Sequence, residues 1–366
     1  MTATRTPDPQ PGRTPSPHGS TSSAPTGRVV AQHRGRWLIA DPSRPGEHDA
    51  RPAILSGRLA RDPSPDAHPV VGDQVALDPD AADGLARITG VLPRRSLLRR
   101  GATDGTSRQQ ALAANVDVAF VVVPADRAVN PRRIEREVTL VWESGALPVV
   151  LLTKMDLCAD PDAAVAAASG AAAGVEVVPI SVHDRHGLHV LDHWLVPGAT
   201  VVLLGASGAG KSTLTNHLLG REHLRTNGLR WDGAGRHTTT HRELVALPGG
   251  AAIIDTPGLR ALALWADGGD EEATALGQTF GDVATLALEC RFADCGHRRE
   301  PGCAVLAAVA DGRLPADRLA SWEALGRELA QLERRRDAVA RAAGKAADRR
   351  GAKALRVRVA EKRGEG

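Results

Sequence analysis

Gly205-Ala206-Ser207-Gly208-Ala209-Gly210-Lys211-Ser212-Thr213 sets two glycines around four residues and follows them with a lysine and two hydroxyls. That is the full pattern of a phosphate-cradling loop. Glycines let successive backbone N–H groups face phosphate oxygens with no Cβ in the way. Lys211 is then placed to reach β- and γ-phosphates, and the Ser212 hydroxyl to bind Mg²⁺. The flanks agree. Thr200–Leu204 reads as an apolar strand, and Ser212–Leu219 as a helix closed by Gly220. The positive helix N-terminus adds to the site.

Upstream, Thr153-Lys154-Met155-Asp156 ends the predicted strand Leu147–Leu152. It has the form of a guanine-reading loop. Guanine offers two adjacent donors, N1–H and the N2 amine, and one carboxylate accepts both. Adenine presents a bare N1 there, and a site built for hydrogen bonds rejects an analogue lacking them by about 10⁴. Asp156 therefore argues for GTP; an ATP-dependent enzyme is the alternative, and comparing ATP and GTP affinities separates the two. The Lys154 stem is long enough to lie over the base plane. Thr153 stands where GTPases usually carry Asn, so part of the loop's bracing must differ. Ser181-Val182, after the predicted strand Val175–Ile180, fits a second guanine loop whose N–H meets O6. The base reader precedes the phosphate loop by roughly fifty residues, the reverse of an ordinary GTPase. Both loops serve one nucleotide only if the usual sheet has its connections cut and rejoined elsewhere. That is a circular permutation.

The same domain grammar extends to both sides. Val118–Val123 is a near-continuous apolar run, as a strand covered on both faces requires. Pro131–Trp142 reads as a helix with Asn130 as its N-cap. Asp162–Ala173 and Leu188–Trp194 read as helices, and Ala251–Ile254 as a strand ending at Asp255. Alternating strands and helices make a doubly wound α/β domain, with ligands at the carboxyl ends of the strands. Asp255-Thr256-Pro257-Gly258 sits at such an end. Asp255 suits Mg²⁺ through a water, and the Gly258 N–H suits the γ-phosphate. Gly235-Arg236-His237-Thr238-Thr239-Thr240 lies between the two loops, and Thr239 is the favoured residue to complete the Mg²⁺ shell, although its neighbours also fit. Leu259 occupies the place of a water-orienting Gln and cannot orient water. His237 is the nearest candidate for that task, its alternative being an exposed loop histidine.

Cys290, Cys295, His297 and Cys303 supply three sulfurs and an imidazole within a short stretch. With no export signal to favour disulfides, a closed Cys3His site suits one structural zinc. Buried free thiols are the bland alternative. Cys158 reads as a small buried hydrophobe.

The 366-residue chain exceeds one core. Residues 1–26 are rich in Pro, Ser and Thr and read as a disordered extension. Residues 27–110 hold short apolar runs at Val29-Val30, Trp37–Ile39, Ala53–Leu55, Val70-Val71, Gln74–Leu77 and Arg87–Val91. That spacing predicts a small β-barrel, OB-like or SH3-like. Arg94, Arg95, Arg99 and Arg100 follow, either for RNA phosphates or as a solvated linker. The nucleotide domain spans 111–268, a mainly helical metal-binding domain 269–345, and a basic flexible tail 346–366. From Arg327 to Gly366 there are thirteen Lys/Arg against six Asp/Glu, which suits a phosphate backbone or a solvated helix and tail. No apolar run spans a bilayer and no signal-peptide core is visible, so a cytoplasmic protein with no membrane partner is expected.

Together these motifs resemble the circularly permuted GTPases that assist small-ribosomal-subunit maturation in bacteria, the RsgA (YjeQ) type. The resemblance rests on 153–156, 205–213, 235–240, 255–258 and the cluster at 290–303, and covers roughly residues 27 to 340. The link Val91-Leu-Pro-Arg-Arg-Ser-Leu-Leu-Arg-Arg100 adds to it. It implies an N-terminal OB-fold, a central α/β P-loop GTPase and a C-terminal zinc domain. It further implies a monomer that binds GTP and GDP, the small (30S) subunit and its rRNA, with hydrolysis stimulated by the subunit. A GTP-gated rRNA-binding scaffold with negligible hydrolysis is the alternative, since Leu259 replaces the usual Gln. The chain after DTPG runs straight into the C-terminal domain, so release of the switches is expected to reorient that domain.

Overall fold

The computed structural model describes residues 25–33, 35–40, 50–62, 64–78, 85–100, 110–220, 242–255, 275–332, and 334, 338 and 341. His237, Thr239, the Thr256–Gly258 motif, nearly all of the N-terminal extension and the basic tail lie outside them.

Five strands form the N-terminal barrel: β1 (Thr26–His33), β2 (Arg36–Ala40), β3 (Arg51–Leu55), β4 (Gln74–Leu77) and β5 (Ala86–Val91). The order β1-β2-β3-β5-β4 closes on itself because β4 also pairs with β1, and β3 runs parallel to β5. That ring of five is the OB arrangement, which decides between the two barrels left open by strand count. Val29, Trp37, Ile39, Ala53, Val75, Leu77 and Ile88 fill it, with Leu59 of the short helix α1 (Gly57–Ala60) as a plug. Val70-Val71 is not a strand. The Asp73 carboxylate takes the Val70 N–H at 2.8 Å, and Val71 makes only a single bridge to Ala113.

The link is more ordered than a linker. β6 (Leu97–Arg100) and β7 (Gln110–Ala114) form an antiparallel ribbon. Arg94 is spent inside the protein, donating to both Asp73 oxygens at 2.7 Å and to the carbonyls of Asp66 and His68. Arg95 pairs with Asp117 and Arg99 with Asp66. Arg94 is therefore structural, whereas the Arg95 side chain remains 69% exposed.

Six strands follow: β8 (Val118–Pro124), β9 (Leu147–Thr153), β10 (Val177–Pro179), β11 (Thr200–Gly205), β12 (Arg242–Ala246) and β13 (Ala252–Asp255). In space they run β10-β9-β8-β11-β13-β12, parallel except for β12. The phosphate-loop strand β11 thus lies mid-sheet while the chain reaches β8, β9 and β10 first. α2 (Pro131–Ser144) and α3 (Pro161–Ala171) cover one face through Ile134, Val138, Val141, Ala168 and Ala171. α4 (Lys211–Leu219) covers the other with Leu214 and Leu219, beside Trp194, whose ring meets Phe120 edge-on at 5.9 Å. Asn130 caps α2 as expected, its side chain accepting from the Arg133 N–H. β12 was not foreseen; five residues carry too little alternation. It matters, because it also pairs with β1 at Ala31 and Gln32 and so joins barrel to sheet. Cys158 is half-buried rather than buried.

α5 (Ala275–Thr279), α6 (Gly281–Ala287), α7 (Ala304–Ala310) and a helix over 316–332 make the C-terminal unit. Its core holds Phe280, Val283, Cys303, Val305, Leu314 and Leu319, together with Leu140 from α2. No helix among the described residues is long and apolar enough to cross a membrane.

Candidate nucleotide and metal sites

The strand ends of β9, β10, β11 and β13 put the sequence motifs along one edge of the sheet. Gly205, at φ +134°, closes β11 where a Cβ would lie 2.3 Å from the Val122 carbonyl of β8, so no other residue fits that close approach. Gly210, in the left-handed region, caps α4. Between them the loop passes through Ala206, Ser207 and Gly208 to the fully buried Ala209. Lys211 Nζ donates to the Gly205 and Ala206 carbonyls at 2.8 and 2.6 Å, which holds its charge over the loop. Ser212 and Thr213 are exposed at the start of α4. The backbone of Asp255 ends β13, the strand paired directly with β11.

Thr153 answers the question raised by its departure from Asn. It is 2% exposed, and its hydroxyl donates to the Ala209 carbonyl at 2.6 Å. The base-reading loop is thereby tied to the phosphate loop across the intervening strand β8. Thr153→Val would leave that carbonyl buried without a donor, at about 1–3 kcal/mol. The variant is expected to lose about that much folding stability and to bind GTP more weakly as the two loops lose their tie, while Thr153→Ser keeps both; thermal unfolding and a fluorescent-GTP titration of both variants check this.

Lys154 sits in the left-handed region at φ 60°. Its ammonium pairs with Asp126 at 2.6 Å. Asp126, just past the end of β8, is a residue the sequence reading passed over. Arg127 and then Lys154 hold its carboxyl down at about 2, so Asp126 stays a carboxylate throughout the physiological range. A lone Asp after an apolar strand was the available signal. Met155 donates its N–H to the Ile180 carbonyl at 3.3 Å. Asp156 accepts from the Ser181 hydroxyl at 2.7 Å, and that hydroxyl also takes the Asp184 N–H at 3.0 Å. Val182 packs beside them on the core. The two guanine-loop candidates thus meet side chain to side chain.

At the other end of the chain, one ligand atom from each of Cys290, Cys295, His297 and Cys303 lies within 4.8 Å of the others. Cys290 and Cys303 sulfurs are 3.8 Å apart, and His297 Nδ1 lies 3.6 and 3.4 Å from them. Tetrahedral edges built on metal–sulfur bonds of about 2.3 Å and metal–nitrogen bonds of about 2.0 Å come to roughly 3.5–3.8 Å. Cys290, His297 and Cys303 are therefore already spaced as ligands of one metal ion, and the Cys295 sulfur lies within 4.8 Å of each of them. His297 holds a left-handed backbone at φ 54° and is 5% exposed; burial pushes it toward the neutral, metal-binding imidazole. Burial opposes ionisation of Cys290, but the Val305 and Ala304 N–H groups and neighbouring thiols outweigh it and bring it down.

Comparison with known proteins places this geometry. The RsgA GTPase family model matches residues 91–265. The small ribosomal subunit biogenesis GTPase RsgA of Opitutus terrae is 48% identical over 322 residues, 85% of each chain. RsgA 2 of Lactiplantibacillus plantarum is 43% identical over 305 residues, 83% of each chain. Among solved structures, YjeQ from Thermotoga maritima aligns with a TM-score of 0.61 at 26% identity, over 83% of this chain and 98% of that one. YloQ, described as a circularly permuted GTPase, aligns with a TM-score of 0.59 at 25% identity, over 86% and 98%.

Proposed function

The chain belongs to the RsgA family of GTPases, and on that premise we propose that it binds the small ribosomal subunit through its rRNA and assists late maturation. It hydrolyses GTP, at a rate the subunit raises, and turnover controls release. One observation supports this above the rest. The guanine-reading and phosphate-cradling loops, reversed along the chain, are bonded to each other through Thr153 and Ala209.

In this reading Asp156 accepts from guanine N1–H and N2, steadied by Ser181. Lys154 lies along the base, and Thr153, Met155 and Val182 shape the pocket. N–H groups from Gly205 through Thr213 cradle the phosphates. Lys211 leaves its own loop's carbonyls for phosphate oxygens and offsets the charge that grows on them in the transition state. Mg²⁺ supplies charge neutralisation between phosphates; the exposed Ser212 hydroxyl, Thr239 and Asp255 would hold it. Gly258 senses the γ-phosphate. Leu259 cannot orient water, so His237 receives that role. One zinc in the Cys3His cluster orders the C-terminal unit. The protein acts as a cytoplasmic monomer.

Purified protein is assayed for GTP hydrolysis alone, with small subunits and with large subunits. Turnover well above the intrinsic rate is expected with small subunits only. Equal rates in all three would overturn the reading.

A further inference from the structure

One buried side chain stands at the centre of the junction between the C-terminal unit and the nucleotide domain. Arg318, on the 316–332 helix, is 5% exposed. Its Nη1 donates to Glu135 Oε1 and the Ala171 carbonyl at 2.9 and 3.0 Å, its Nη2 to the Thr279 carbonyl and Asp282 Oδ1 at 2.7 and 3.1 Å, and its Nε to Asp282 Oδ2 at 3.0 Å. The guanidinium also lies 4.2 Å from the Phe280 ring centroid. Glu135 and Ala171 belong to α2 and α3; Thr279 and Asp282 belong to the C-terminal unit or its entry.

Other contacts repeat the theme along α2. Thr139 Oγ1 and Thr279 Oγ1 are hydrogen-bonded at 2.9 Å, and both residues are fully buried. Arg136 Nη2 meets Glu328 at 2.9 Å. Leu140 packs into the C-terminal core rather than its own. At its other end α2 begins from the turn that carries Ala125 and Asp126, which are bonded to Thr153 and Lys154 of the base-reading loop.

We propose that α2 and the C-terminal unit remain one rigid body through the GTPase cycle, with Arg318 as its pin, so that a pull on the metal-bearing unit is a pull on α2. This replaces the reorientation expected from the chain path. A swing off α2 would break the Arg318 bonds to Glu135 and Ala171 and uncover Leu140. The proposal rests on the subunit-stimulated hydrolysis proposed above.

The test is a reversible lock. Thr139→Cys with Thr279→Cys, made in a Cys158→Ala background, is oxidised in the zinc-loaded full chain. Subunit-stimulated hydrolysis is measured before and after reduction. The rigid body predicts the same stimulated rate in both forms. Loss of stimulation on oxidation, restored by reduction, would overturn it. Should the pair fail to oxidise, spin labels on Arg132→Cys and Asp317→Cys decide, since those side chains are 70% and 94% exposed and 3.5 Å apart. Equal dipolar broadening under GDP and under a GTP analogue with small subunits supports the proposal, and broadening lost in one state contradicts it. A parent protein with no stimulation would instead sink the functional reading, and the spin labels would still decide the rigid body.

Discussion

Replacing Asp156 by Asn is expected to lower GTP affinity by about 10⁴ and to move the preference toward xanthosine triphosphate. Donors and acceptors decide the outcome. The carboxylate accepts twice from guanine. An amide accepts once and presents N–H where guanine presents another donor, so one buried donor faces another. Xanthine carries a carbonyl at that position and restores the pair. The loop itself should survive, because the Ser181 hydroxyl that now donates to Asp156 Oδ1 can donate equally to an amide oxygen. Competition binding with the two triphosphates on the variant and its parent provides the measurement. An unchanged preference would mean that this side chain does not face the base.

Removal of the metal should have an effect of comparable size at the other end of the chain. Structural zinc contributes about 10–16 kcal/mol of apparent binding energy in small domains, and much of that is folding energy. The C-terminal core here is modest, and Cys303 does double work: its sulfur joins the cluster and also accepts the Leu306 N–H at the start of α7. Chelation, or Cys303→Ser, is therefore expected to melt α7 and the 290–303 segment and to release one zinc per chain. The parallel sheet has its own clusters on both faces, so GTP binding should persist. Far-UV circular dichroism with metal analysis and a GTP titration on the same sample checks this. Retained helix with no metal bound would contradict it.

The nucleotide site was legible because its chemistry is local. A phosphate loop needs glycines at fixed spacing next to a lysine, and a base reader needs a carboxylate a few residues past a strand, so both survive in one dimension. The metal cluster was legible for the same reason, as its four ligands fall within one short segment. What escaped depends on pairing across the chain. β12 shows too few residues for a period, and only its neighbours β1 and β13 make it a strand. Asp126 gains its role from Lys154, Arg94 from Asp73, and Arg318 from Glu135 on a helix far away in sequence. A surface arginine and a structural one look alike until the partner is known. The barrel type was open for a similar reason, because closure through the β1–β4 pair and the parallel β3–β5 pair is a property of topology rather than of composition.

Everything in this mechanism depends on two loops, reversed in chain order, gripping opposite ends of one guanine nucleotide. A crystal structure with a non-hydrolysable GTP analogue tests it most directly. Guanine N1 and N2 are expected within about 3 Å of the Asp156 carboxylate, with the phosphates wrapped by the N–H groups of residues 206–212. A nucleotide whose phosphates occupy that loop while its base lies away from Asp156 would contradict it.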